Sequence, residues 1–157
     1  MKIIHCADLH LDSSMNSNFE SGQSKERKLE LIHTFERMLR YADEQLVDAV
    51  IIAGDLFDKP NVSKTTKNIV LDGITRLKDI DFYYLKGNHD EYNFLDEMRQ
   101  VPENLHLFND NWQTYTAFCT DNFDITISGI ELNPNKPNLM LEKLELDPYD
   151  FNIETLH

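Results

Sequence analysis

Three short polar clusters hold the side chains of this sequence best suited to chemistry. Asp8-Leu9-His10 follows the apolar run Ile3-Ile4-His5-Cys6. Gly54-Asp55-Leu56-Phe57-Asp58 follows Val50-Ile51-Ile52-Ala53, and Gly87-Asn88-His89-Asp90 follows Phe82-Tyr83-Tyr84-Leu85. Together they offer carboxylate oxygens, imidazole nitrogens and an amide oxygen. That donor set suits manganese, iron or zinc better than a metal that prefers thiolates. Two of the five glycines in the chain, Gly54 and Gly87, stand directly before an acidic or amide donor. Glycine there permits a sharp turn and lets the backbone approach an ion or a phosphate. Taken singly, each cluster has a plainer reading: Asp-x-His as a loop cap, the other two as polar turns. All three in order, each after an apolar run, point to one shared site.

The elements that must position these clusters alternate. Residues 2–7 read as a buried strand and 11–24 as a polar loop. Residues 25–46 carry a helical stripe of Leu31, Phe35, Met38, Leu39, Ala42 and Leu46. Val47 to Ala53 is a second strand. Ser63 caps a helix over about 64–78, with Ile69, Val70, Ile74 and Leu77 on one side, and Ile80 to Leu85 is a third strand. Strand–helix–strand alternation implies parallel strands joined by right-handed crossovers, buried on both faces and so nearly continuous in apolar residues. The carboxyl ends of such strands lie along one sheet edge, where α/β proteins place ligands. Asp8 and His10 are two apart, so on a continuing strand they would share a face. A short helix is expected near 92–100, strands near 105–108, 113–119 and 124–130, and a last strand over Phe151 to Leu156. Residues 138–146 are ambiguous and could form one short helix.

Composition bounds the rest. The 157 residues suffice for one domain, 1–157, with no internal repeat or linker. Hydrophobic residues make up 41% and charged residues 27%, a balance that excludes a disordered chain. No apolar run reaches membrane-spanning length, and the start is too briefly apolar for a secretory signal. Cys6 and Cys119 form no spaced framework, and Cys6 is expected to be a buried free thiol; both readings favour the cytoplasm. The net charge of −13 repels a nucleic-acid backbone unless metal ions or a local basic patch offset it.

The blocks "ADLH", "GDLFD" and "GNHD" resemble the calcineurin-like metallophosphoesterases. The opening "IIHCADLHLDS" and "YYLKGNHDE" are most similar to the SbcD-type DNA-repair exonuclease branch, and the terminal "NIETLH" resembles a strand ending in a metal-binding histidine. The resemblance implies an α/β fold, a sandwich of mixed β-sheets flanked by helices. It implies a phosphodiester hydrolase, a nuclease of the DNA exonuclease type, using two divalent ions, manganese first, with iron, zinc or magnesium as substitutes. By position, Asp8 and His10 would bind one ion, Asp55 would bridge, and Asn88 and His157 would bind the other. His89 would be the general acid over the leaving group, with Asp58 and Asp90 fixing the loops and orienting it. DNA would be the substrate, an ATPase subunit a partner, and a homodimer the assembly.

The family's next block, Gly-His-x-His, does not occur in these 157 residues, so the resemblance covers the first part of the catalytic domain. With three protein donors for each ion, weak or single-metal occupancy and low activity are expected of this chain alone. A phosphatase acting on a small phosphate compound, and a catalytically silent binding or scaffold fragment, are the alternative readings. A dinucleotide-binding fold fits poorly, because no Gly-x-Gly-x-x-Gly follows the first strand. His5 reads as a core group or one behind the site, His33 as a surface residue and His106 as a turn residue. Lys59, Lys64 and Lys67 could hold a DNA backbone or form a solvated helix start. Tyr92 and Phe94 could stack on bases, whereas Phe57 is expected in the core.

Overall fold

The computed structural model describes residues 1–13, 21–58, 62–90, 100–133 and 144–157; the side chains of 21–24 fall outside that description. The expected helix near 92–100, the ambiguous stretch 138–146, and the side chains of Lys59, Tyr92 and Phe94 lie wholly or largely outside the described residues. The elements run β1 (Ile3–Cys6), α1 (Ser21–Glu44), β2 (Ala49–Ala53), α2 (Lys64–Arg76), β3 (Asp81–Leu85), β4 (Leu105–Leu107), β5 (Gln113–Cys119), β6 (Asp124–Gly129) and β7 (Phe151–Thr155). They build two sheets, one of order β1-β2-β3-β4 and one of order β5-β6-β7. The first is parallel throughout, as the alternation predicts. In the second, β5 and β6 are antiparallel and β6 and β7 parallel.

Strand alternation sorts the first sheet's side chains between two cores. Val50, Ile52, Phe82 and Tyr84 face the helices and pack with Phe35, Leu39, Ala42, Val70 and Ile74. Ala49, Ile51, Tyr83 and Leu85 face the second sheet and meet Phe108 and Ile127, with Tyr115 and Ile153 against them. Burying each large side chain contributes roughly 1.5–3 kcal/mol, so both faces of β2 and β3 anchor the sheet edge from which the polar loops emerge.

Several expectations change at element ends. α1 begins at Ser21, not near 25, because residues of low helix propensity cost little in a first turn whose N–H groups lack intrahelical partners anyway. Leu46 leaves the apolar stripe. It is 79% exposed with φ +50. Val47 N donates to Ala42 O and Leu46 N to Asp43 O, so a leucine takes the left-handed capping position that glycine usually fills. His5 lies on edge strand β1 and is exposed, not in the core. His106 sits inside β4, not in a turn; its ring stacks on Tyr83 at 4.7 Å and its Nε2 lies 3.0 Å from Asp81 Oδ1. His33 is exposed and Phe57 is buried, as their sequence positions suggest. Cys6 is free and half-buried; its thiol donates to Ile51 O at 3.5 Å, and burial pushes its pKa up to about 11. Among the described residues no helix is long and apolar enough to cross a membrane.

Candidate metal centre

The parallel strands deliver their polar loops to one edge. β1 ends at Cys6, β2 at Ala53 and β3 at Leu85, and the next residues in each case are the clusters singled out above. Backbone hydrogen bonds then zip the first two loops together: Asp8 N donates to Gly54 O, His10 N to Asp55 O and Leu11 N to Leu56 O. Gly54 N donates to Leu85 O, which ties the second loop to the third.

The expectation that Asp8 and His10 share a face of a continuing strand is wrong in its reason, although the two side chains do converge. The strand stops at Cys6, and Asp8, His10 and Asp55 all take left-handed backbone, with φ of 53°, 44° and 49°. Non-glycine residues enter that region at a cost of order 1–3 kcal/mol, and such strain gathers where a ligand must be held. The turn brings His10 Nε2 to 3.8 Å from Asp8 Oδ1 and 3.7 Å from Asp55 Oδ2.

Asp55 is the hub. Its side chain is 4% exposed. Oδ1 accepts from His89 N at 2.9 Å, while Oδ2 lies between His10 Nε2 and His157 Nε2, the latter at 3.4 Å. A Cβ on Gly87 would overlap the Asp55 carboxylate, and a Cβ on Gly54 would overlap the His157 imidazole. Both glycines therefore make room for donors, and Gly54, at φ +85, also needs glycine for its backbone.

His157 follows β7 and reaches the same edge from the other sheet. Its Nδ1 lies 3.0 Å from Ala53 O. A carbonyl only accepts, so Nδ1 carries the proton and Nε2 is bare in the neutral ring. That bare nitrogen faces Asp55 Oδ2 at 3.4 Å and Asn88 Oδ1 at 3.3 Å. In the neutral ring that nitrogen and the two oxygens lie side by side as lone-pair donors, the kind of set a divalent cation would bind. Donors about 2.0–2.2 Å from one ion stand roughly 3.0–3.8 Å apart, which is the spacing seen here. The residues present therefore fit a divalent metal.

The loop residues divide the supporting work. Asp90, 5% exposed, accepts from Leu56 N at 3.2 Å, Phe57 N at 2.8 Å and Gly87 N at 3.0 Å. It pins the second loop to the third and does so through backbone, not through His89. Asp58 touches His89: its Oδ1 lies 3.1 Å from His89 Nδ1, which donates. The Ser13 hydroxyl donates to Asp58 Oδ2 at 2.6 Å. That bond, followed by nearby His10 and the His89 contact, holds the Asp58 carboxyl below its ordinary range against burial. Among the described residues, the donor triads His10–Asp58–His89 and Asp8–Asp55–His157, each with ligand atoms within 4.8 Å of one another, cut across the division that the resemblance implies. The Asp58 oxygens meet His89 and Ser13, while His10 Nε2 faces Asp8 and Asp55.

Sequence reading missed Asp12. Its Oδ2 accepts from Ser63 N at 2.6 Å and its Oδ1 from Lys28 Nζ at 3.1 Å, so it joins the first loop to both helices. Burial pushes this carboxyl up, but the Ser63 N–H and Lys28 outweigh it and hold it low. Only its position directly after the first cluster signals it. A concavity of about 630 Å³ lined in part by Leu71, Lys78, Asp81 and Asn104 lies at the opposite sheet edge, where β3 begins, away from all these donors.

The calcineurin-like phosphoesterase family model matches residues 1–151. The chain belongs to that family. Among relatives of this phosphoesterase chain, an uncharacterized metallophosphoesterase, YhaO of Bacillus subtilis, is 32% identical over 112 residues, 69% of this chain and 28% of its own. The DNA double-strand break repair protein Mre11 of Methanosarcina acetivorans is 34% identical over 69% of this chain and 16% of its own. One of the subunits of the nuclease SbcCD of Escherichia coli K12 is 33% identical over 64% of this chain and 24% of its own. The phosphoesterase chain thus spans under a third of these relatives. A Pseudomonas putida nuclease, MPE, superposes with TM-score 0.45 at 19% identity, over 78% of this chain and 52% of that one.

Asp90 carries a prediction that needs no metal. Asp90→Ala leaves three N–H groups of the site loops without their acceptor. Unfolding by urea should show a loss of about 3 kcal/mol or more, since each buried orphan costs about 1–3 kcal/mol. A loss under about 1 kcal/mol would mean that the loops hold their shape without the carboxylate.

Proposed function

We propose that this chain carries the core of a phosphodiester hydrolase of the nuclease type, acting on DNA with two divalent ions, manganese first. Asp8, His10 and Asp55 hold one ion, and Asp55, Asn88 and His157 hold the other. The observation that carries this reading is His157 Nε2 facing the Asn88 and Asp55 oxygens at 3.3 and 3.4 Å. When bound, two divalent ions neutralise the phosphoryl oxygens and make a water acidic enough to attack near neutral pH.

The chain's own groups supply the rest. Asp58 accepts from His89 Nδ1–H, which holds the ring in place. The protonated Nε2 of His89 then gives its proton to the departing oxygen, which leaves poorly as an alkoxide. Asp90 keeps the loops from spreading as charge builds up. Relatives named for DNA double-strand break repair and for a nuclease support DNA over a small phosphate compound. The relative named as one subunit of a nuclease supports a partner, an ATPase by the resemblance.

The described residues supply three protein donors to each proposed ion. The test is cleavage in millimolar manganese of a single-stranded oligonucleotide against a nucleoside monophosphate. Slow diester cleavage without monoester cleavage supports the proposal. Preference for the monoester would overturn it in favour of a phosphatase.

A further inference from the structure

A chain of net charge −13 needs somewhere to meet a polyanion. The fold gathers cations at one place. Residues 25–28 and 63–67 hold Lys25, Arg27, Lys28, Lys64 and Lys67 beside Glu26, with Arg27 paired to Glu30 at 2.8 Å and Lys28 to Asp12 at 3.1 Å. The first stretch lies one turn into α1 and the second opens α2, and Asp12 clamps them together: one carboxylate oxygen takes Lys28 Nζ and the other takes Ser63 N. Lys25 lies one helical turn before Lys28 and is exposed, as is Lys64 at the first position of α2. The residue after Asp12, Ser13, donates to Asp58, and Asp58 holds His89. The basic rim is therefore wired to the His89 side of the centre, not to the His157 side.

We propose that the early turns of α1 and α2, joined by Asp12, form a cationic rim that holds phosphates of a nucleic-acid strand on the leaving-group side of the scissile bond. The inference rests on the nuclease reading and adds to it which face of the site the strand follows and which side chains hold it. Lys28 is kept at the rim by a carboxylate that is itself held by backbone, so its position is set before any strand arrives. Phosphate contacts of this kind position a strand without reading its sequence.

The experiment is a fluorescence-anisotropy titration of a labelled single-stranded oligonucleotide at several salt concentrations, without added metal. K28Q/K64Q should weaken binding about tenfold and lower the slope of log affinity against log salt by about 1.4, at roughly 0.7 for each phosphate of a single strand that is no longer neutralised. K28R/K64R, which keeps both charges, should retain affinity and slope. Lys78 lies at the opposite sheet edge, and K78Q should change neither quantity. Thermal melting by circular dichroism separates a folded variant from an unfolded one. Unchanged affinity and slope in folded K28Q/K64Q, or an equal loss in K78Q, would overturn the rim. Hydrolysis of bis(p-nitrophenyl) phosphate by the unaltered chain, run in parallel with manganese, reports on the centre alone. Cleavage there with no rim effect rejects the rim and spares the nuclease reading; the reverse pair of results does the opposite.

Discussion

Asp55→Asn should raise the stability of the metal-free chain while removing its response to manganese. The carboxylate is 4% exposed, and among the described residues its Oδ2 meets the ring nitrogens of His10 and His157 at 3.7 and 3.4 Å. A buried charge without close compensation is costly, so neutralising it should stabilise the apo fold by about 1 kcal/mol. Asparagine keeps an oxygen for His89 N, so the backbone bond that positions the third loop survives. It cannot supply the shared anionic donor that both proposed ions need. Manganese affinity should fall at least about a hundredfold. A ligand at a hundred times its Kd stabilises by about 2.7 kcal/mol, and the variant should lose that gain. Thermal melts with and without manganese measure both effects together. Lower apo stability with an undiminished manganese shift would place the ions elsewhere.

His89→Asn should separate chemistry from binding. The His89 backbone N, not its ring, holds Asp55 Oδ1 at 2.9 Å, so the substitution leaves the hub in place. Manganese binding should stay within about threefold of the unaltered chain, since the proposed ion donors remain. Cleavage of an oligonucleotide should fall by about 10²–10⁴, the usual contribution of a positioned acid. The loss should shrink for bis(p-nitrophenyl) phosphate, whose leaving group departs without protonation. Equal losses on both substrates would show that the imidazole acts through structure and not as a proton donor.

The sheet edge was legible because parallel strands buried on both faces read as short apolar runs, and the residue after each run is the first that can be polar. That logic found Asp8, Asp55 and Asn88 at the right ends of β1, β2 and β3, and the structure brings His157 among them. It failed where backbone conformation decides. Nothing in the side chains of Asp8 and His10 announces φ of 53° and 44°, since that turn is imposed by bonds to Gly54 O and Asp55 O from another segment. Leu46 looked like core because its spacing fits the helical stripe, but the helix had already ended. Asp12 was illegible because its partners, Lys28 and Ser63, are 16 and 51 residues away. His106 read as a turn residue because the aromatic rings that make its place in β4, Tyr83 and Tyr115, come from other strands.

The most direct test of the whole account is anomalous scattering from a manganese-soaked crystal of this chain. Peaks are expected between Asp8, His10 and Asp55, and between Asp55, Asn88 and His157, the second within bonding distance of His157 Nε2. Manganese found only at surface carboxylates, with nothing bound between the His157 nitrogen and the Asp55 carboxylate, would contradict it.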